Sequence, residues 1–171
     1  MGGNFTNFSQ LVHNSAPVAF SVAFRMVGNE DKAKDIVQET MITLWKSIKK
    51  ISSPESFMPW HYRIVVNKCY DQLRKRKRNP EFGADDRTWA LISNKISENS
   101  YLEIENRETA KMINILTNKL SPKQKAVFVL SDLEEMSNEE VAKITGMSRT
   151  NVKANLHYAR KHIGEMIEKY L

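Results

Sequence analysis

The chain has 171 residues and a formal net charge of +6, with 27% charged and 41% apolar residues, a balance that excludes fibrous and disordered classes. No apolar run approaches the roughly 18 residues needed to span a bilayer, and residues 1–10 lack the basic cluster and apolar core of a secretory signal. Cys69 is the single cysteine, which excludes an internal disulfide or a thiolate metal cluster and fits a reducing cytoplasm. The charge is unevenly spread: +7 over residues 1–78, −3 over 79–118 and +2 over 119–171. Two basic ends around an acidic middle suit a polyanion partner at each end, although a solvated basic face gives similar sums.

Nearly everything reads as helix. The start, Met1-Gly2-Gly3-Asn4-Phe5-Thr6, fits the spacing of an N-myristoylation signal, a short pattern read as accidental. From Asn29, apolar residues recur at Ala33, Ile36, Val37, Met41, Leu44, Trp45 and Ile48, one face of a helix that Asn29 caps and Glu30 and Asp31 stabilise at its positive end. Pro54 and its serine neighbours break that pattern, so residues 51–57 are expected to form a loop. A second long helix is expected over about residues 57–78, with Pro59 in its first turn. Residues 80–100 mix Gly, Asp, Ser and Asn and read as linker, with Trp89, Leu91, Ile92 and Ile96 as a short amphipathic piece.

The last third carries two capping boxes. Ser121-Pro122-Lys123-Gln124 opens a helix with apolar Ala126, Val127, Val129 and Leu130. Ser137-Asn138-Glu139-Glu140 opens a second, carrying Val141, Ala142 and Ile144 and stopping at Gly146. Ser148 then caps a final helix through Val152, Leu156, Ala159 and Ile163. Helix, glycine turn, helix is the geometry that lays a second helix in the DNA major groove. Arg149, Thr150, Asn151 and Lys153 lie away from the apolar face at its N-terminal end, with Asn155 and Tyr158 further along, as base or phosphate contacts.

Two other constellations stand out. Asp31, Asp35 and Glu39 at four-residue spacing, beside Gln38, make a carboxylate stripe, either a solvated acidic face or a metal site. Arg74-Lys75-Arg76-Lys77-Arg78 closes a helix that also bears Trp60, Tyr62, Arg63, Asn67 and Tyr70, and basic residues interleaved with aromatics suit phosphates and unstacked bases. His13, His61, His157 and His162 are scattered, and there is no phosphate loop, nucleophile elbow or zinc spacing, so no enzyme, metal or cofactor is expected.

These residues resemble the bacterial RNA polymerase sigma factors of the extracytoplasmic-function group. Lys32 to Thr40 with Leu44-Trp45 resembles the helix that grips the polymerase clamp; Trp60 to Asn67, then Asp71 and Leu73 to Arg76, resembles the helix that meets the melted minus-ten element; Leu120 to Ile163 resembles the minus-thirty-five domain. The resemblance implies an all-α fold of two small helical domains: domain 2 over residues 1–79, a linker over 80–109, and domain 4 with the helix-turn-helix over 110–171. It implies polymerase contact by Asp35, Gln38 and Glu39; minus-ten contact by Ile51, Trp60, Arg63, Asn67, Arg74 and Arg76; and minus-thirty-five contact by Arg149, Thr150, Asn151, Lys153, Asn155 and Tyr158. Core RNA polymerase, promoter DNA and an anti-sigma protein, membrane-bound in many relatives, are the implied partners, and a small-molecule substrate is not. A stand-alone helix-turn-helix regulator is the rival reading. His61 stands where relatives usually have leucine, so a less buried position is expected there, and Asn155 stands where arginine is common.

Overall fold

A computed structural model describes residues 8–78 and 102–170, all helices and short connections with no strand among them. The amphipathic piece at Trp89–Ile96 and the N-terminal Met-Gly motif lie outside the described residues. The N-terminal half is a three-helix unit: α1 (Phe8–Val27), α2 (Glu30–Ser47), a 3-10 turn (Ile48–Lys50) and α3 (Pro54–Arg78). The C-terminal half holds α4 (Leu102–Thr117), α5 (Pro122–Phe128), a π turn (Val129–Leu133), α6 (Asn138–Thr145) and α7 (Arg149–Tyr170). The first turns of α4 thus fall within the stretch read from sequence as linker.

Local signals explain most boundaries. The Asn29 side chain accepts from the Lys32 amide at 2.9 Å, and both serine capping boxes close reciprocally. Gly146 takes φ +73°, the left-handed conformation that ends α6. One expectation fails: residues 54–57 are helix rather than loop, because Pro54 occupies the first helical position, where no N–H partner is needed. Pro59 consequently lies in the second turn, and only the connection 51–53 separates α3 from the 3-10 turn.

The two halves share one core. Val65, Val66 and Cys69 of α3, all essentially inaccessible, lie in one cluster with Ala19, Val22 and Met26 of α1 and with Ala126, Val127, Leu130, Val141 and Ile144 of the C-terminal half. A smaller cluster, Ile115, Leu116, Leu120, Ala159 and Ile163, ties α4 to α7. At the end of α1, Gly28 has φ +68°, and a Cβ there would collide with the Asn114 side chain of α4.

Asn114 also accepts a hydrogen bond from Lys125 Nζ at 2.8 Å, and Lys125 is 3% exposed. Burial, then the nearby positive charge of Arg76, pulls the Lys125 amine down to about 7 from its ordinary 10.5, against a smaller opposing effect of Cys69. Because the folded value lies below the unfolded one, the unfolded chain binds an extra proton between those limits, and stability gains from rising pH there. Between pH 7 and 9, Lys125→Met is expected to flatten the gain by up to about 1.4 kcal/mol per pH unit, read from urea-unfolding midpoints of both proteins.

Candidate nucleic-acid interface

Three exposed surfaces carry the residues singled out by sequence. On α2, Asp31, Asp35, Gln38 and Glu39 are all solvent-exposed, and Glu39 also pairs with Lys68 of α3 at 3.5 Å. Sequence reasoning missed the continuation of this face: Ile42 and Trp45 follow Gln38 at helical spacing and are 52% and 64% exposed. The apolar period of α2 places Trp45 with the core residues, whereas the structure leaves it exposed. An exposed tryptophan beside carboxylates has the composition of a protein-binding surface, because indole buries a large area on contact.

On α3, Trp60, Arg63, Asn67 and Arg74 fall on one face by their spacing of three, four and seven residues. Asn67 and Arg74 are exposed, Trp60 is half-buried beside Phe57, and Asp71 lies 3.6 Å from Arg74. Arg63 does not stand free. Its guanidinium donates to the carbonyl of Lys143 at 2.8 Å and to that of Ile144 at 3.4 Å, at the end of α6. Arg76 lies on the other side of the helix, half-buried, and donates to the Val27 carbonyl at 3.3 Å. Ile51 sits half-buried in the connection just before α3.

The third surface is the start of α7. Ser148 Oγ accepts from the Asn151 amide at 3.1 Å, which caps the helix and presents Arg149, Thr150, Asn151 and Lys153 to solvent. Val152 and Leu156 are buried beneath, against α6. Tyr158 is 60% exposed one turn further along. Asn155 is half-buried and committed within the domain: its Nδ2 donates to the Asn151 carbonyl at 2.8 Å and approaches Met147 Sδ at 3.7 Å. Arg160, on the same helix, makes a two-pronged ion pair with Asp132 of the π turn at 2.6 and 2.9 Å.

The comparisons with known proteins fit this geometry. Sigma-70 region 2 matches residues 11–79 and Sigma-70 region 4 matches residues 116–163. RNA polymerase sigma factor SigV of Bacillus subtilis is 32% identical over 142 residues, covering 83% of this chain and 80% of its own length. ECF RNA polymerase sigma factor SigE of Mycolicibacterium smegmatis is 26% identical over 165 residues, covering 96% of this chain and 63% of its own. The chain is an extracytoplasmic-function sigma factor. Two solved structures share its fold at TM-score 0.66: RpoE of Bartonella quintana in complex with the anti-sigma factor NepR (21% identical, 94% of this chain and 96% of that one), and CnrH in complex with the cytosolic domain of CnrY (24% identical, 98% and 91%). No described helix of this sigma factor is long and apolar enough to cross a membrane.

In the α3 helix of this sigma factor, His61 is fully buried, contrary to the expectation of a less buried position. Its ring stacks on Phe57 with centroids 5.8 Å apart and meets the edge of Tyr62 at 6.0 Å, so it serves as an aromatic filler of the core. Neither ring nitrogen has a hydrogen-bond partner among the described residues. Burial lowers its pKa to about 4 from 6.5. With the folded value depressed, stability present above pH 6.5 is lost progressively as pH falls toward 4. His61→Leu is expected to stabilise the chain at pH 7 by about 1–3 kcal/mol and to reduce this acid sensitivity, as measured by urea unfolding at pH 5 and 7.

Proposed function

We propose that this sigma factor binds core RNA polymerase through the exposed stripe of α2, meets the melted minus-ten element with α3, and reads the minus-thirty-five element with the start of α7. What supports the reading is the presence on one chain of two separate helices that expose basic and amide side chains, α3 and the start of α7, and of a carboxylate-and-tryptophan stripe on α2. A stand-alone helix-turn-helix regulator would use only the start of α7. The chemistry of transcription belongs to the polymerase, the chain itself acting by positioning in the cytoplasm. NepR and CnrY, the partners of the two structural neighbours, support an anti-sigma protein as a further partner. Co-migration with core polymerase on a sizing column, followed by run-off transcription on a genomic promoter library, tests the reading. Tight binding to duplex DNA without co-migration would favour the regulator.

Within the minus-ten surface, the connection at Ile51, the indole of Trp60 and the amide of Asn67 suit an unstacked base, and Arg63 and Arg74 suit the phosphates around it. Arg76, held against α1, contributes through packing. At the polymerase surface, Trp45→Ala is expected to weaken core binding by about 2 kcal/mol, near thirtyfold in Kd, and Asp35→Lys to weaken it by about tenfold. Pull-down of core polymerase at undiminished yield by both variants would reject the stripe. At the minus-thirty-five surface, Arg149→Ala is expected to lose about 1–3 kcal/mol of promoter affinity. Asn155→Ala should lose less, because that amide is already spent inside α7; equal losses in a gel-shift titration would contradict this division.

A further inference from the structure

The middle of α7 and the turn between α4 and α5 enclose a cleft of about 290 Å³. Lys119 and Gln124 line one side of it, and Tyr158, Lys161, His162 and Glu165 of α7 line the other. Spacings of three, four and seven residues put the α7 group on a single helical face. Leu120, buried beneath, lies in one apolar cluster with Ala159 and Ile163, so both walls are fixed to the same packing.

The polar groups around this cleft are mostly cations and donors. Lys119 and Lys161 are exposed, and neither takes part in an ion pair among the described residues. Arg160, the neighbour of Lys161, is by contrast paired with Asp132. Gln124 spends Oε1 on the Ser121 amide at 3.1 Å, which leaves its Nε2 hydrogens as the end available to a ligand. His162 adds a ring nitrogen, Nε2, that has no hydrogen-bond partner among the described residues, and Tyr158 adds an exposed phenol. Glu165 is the single carboxylate among the lining residues. Two unpaired point charges with neutral donors beside them suit a ligand of high charge with several acceptor oxygens. A phosphate group supplies both, carrying roughly two negative charges and three strong acceptors. An apolar molecule would find little to cover except Leu120 and the Tyr158 ring.

We propose that this cleft is a phosphate-binding site, in which Lys119 and Lys161 supply charge and Gln124, Tyr158 and His162 supply directional hydrogen bonds. The site does not depend on the promoter reading above. Two sources share its chemistry. One is a small phosphorylated ligand free in solution. The other is the DNA backbone: Lys161 lies 12 residues beyond Arg149, about 18 Å along the helix axis. That exceeds the roughly 12 Å width of the major groove, so a helix entering by its start carries the cleft toward the sugar-phosphate rim.

Inorganic pyrophosphate is the probe, titrated at constant ionic strength into the full chain while the ring signals of His162 are followed by nuclear magnetic resonance. A saturable shift is expected, and Lys119→Gln with Lys161→Gln together should raise its dissociation constant at least about tenfold. Lys123→Gln, at an exposed lysine outside the cleft, should leave the isotherm unchanged. All three lysines are exposed, so urea-unfolding midpoints should stay in place. A response that never saturates, or an isotherm that the double variant leaves intact, overturns the site, and so does an equal loss in Lys123→Gln. Where the site stands, binding of the full chain to a duplex of random sequence identifies the source of the phosphate. A dependence of log K on log salt that is shallower by about one in the double variant than in Lys123→Gln assigns the DNA backbone. Equal slopes, or a chain that leaves the duplex unbound, assign a free phosphorylated ligand.

Discussion

The structure depends on one stripe of α3. Val65, Val66 and Cys69 are covered on one side by α1 and on the other by α5 and α6, so a single helix supplies core to both halves. Apolar burial of this kind is strong but non-directional. It brings the halves together without choosing how they are aligned. The alignment comes from polar contacts that need a defined geometry, Arg63 on the carbonyls of α6 and Arg25 on Glu134. The polar face of the same helix carries Arg63, whose guanidinium is held by the end of α6.

The seam is also weakened from within. Lys125 enters it with an amine that burial and Arg76 drive toward the neutral form, and the Asn114 side chain accepts its hydrogen bond. A buried amine costs free energy that a methionine or leucine would not. Gly28 then lets α1 approach Asn114 closely, since any Cβ at that position would collide with the Asn114 side chain. The seam is thus a shared apolar core that carries one costly polar group.

Features encoded within a few residues were legible in the sequence. Asn29, Ser121, Ser137, Ser148 and Gly146 each satisfy neighbours in the chain, and the structure places each as its motif requires. The helix-turn-helix and the exposure of Arg149 to Lys153 follow from the same short-range logic. What depended on distant partners was not legible. His61 is buried because Phe57 and Tyr62 enclose it within a packed domain, which no spacing rule reveals. Arg63 and Arg76 belong to one basic helix, yet one meets α6 and the other the end of α1. Trp45 matched the apolar period of α2 and still faces solvent, although its place one turn beyond Ile42 on the carboxylate face was a signal that could have found it. The start of α3 was misread because proline at a first helical position and proline in a loop look alike before the helix is seen.

The π turn at Val129–Leu133 holds one residue more than an α-helical turn, and Glu134 donates its amide back to Val129 across five residues at 2.9 Å. That extra residue sets where the next side chains point: Asp132 toward Arg160 inside the C-terminal half, Glu134 toward Arg25 outside it. A single-codon deletion here would rotate everything downstream by about 100° relative to α5. The internal brace and the contact between halves would go together. Sequence drift in this stretch is therefore constrained in length more tightly than in composition, and a relative lacking the extra residue would have to bring its halves together by other means.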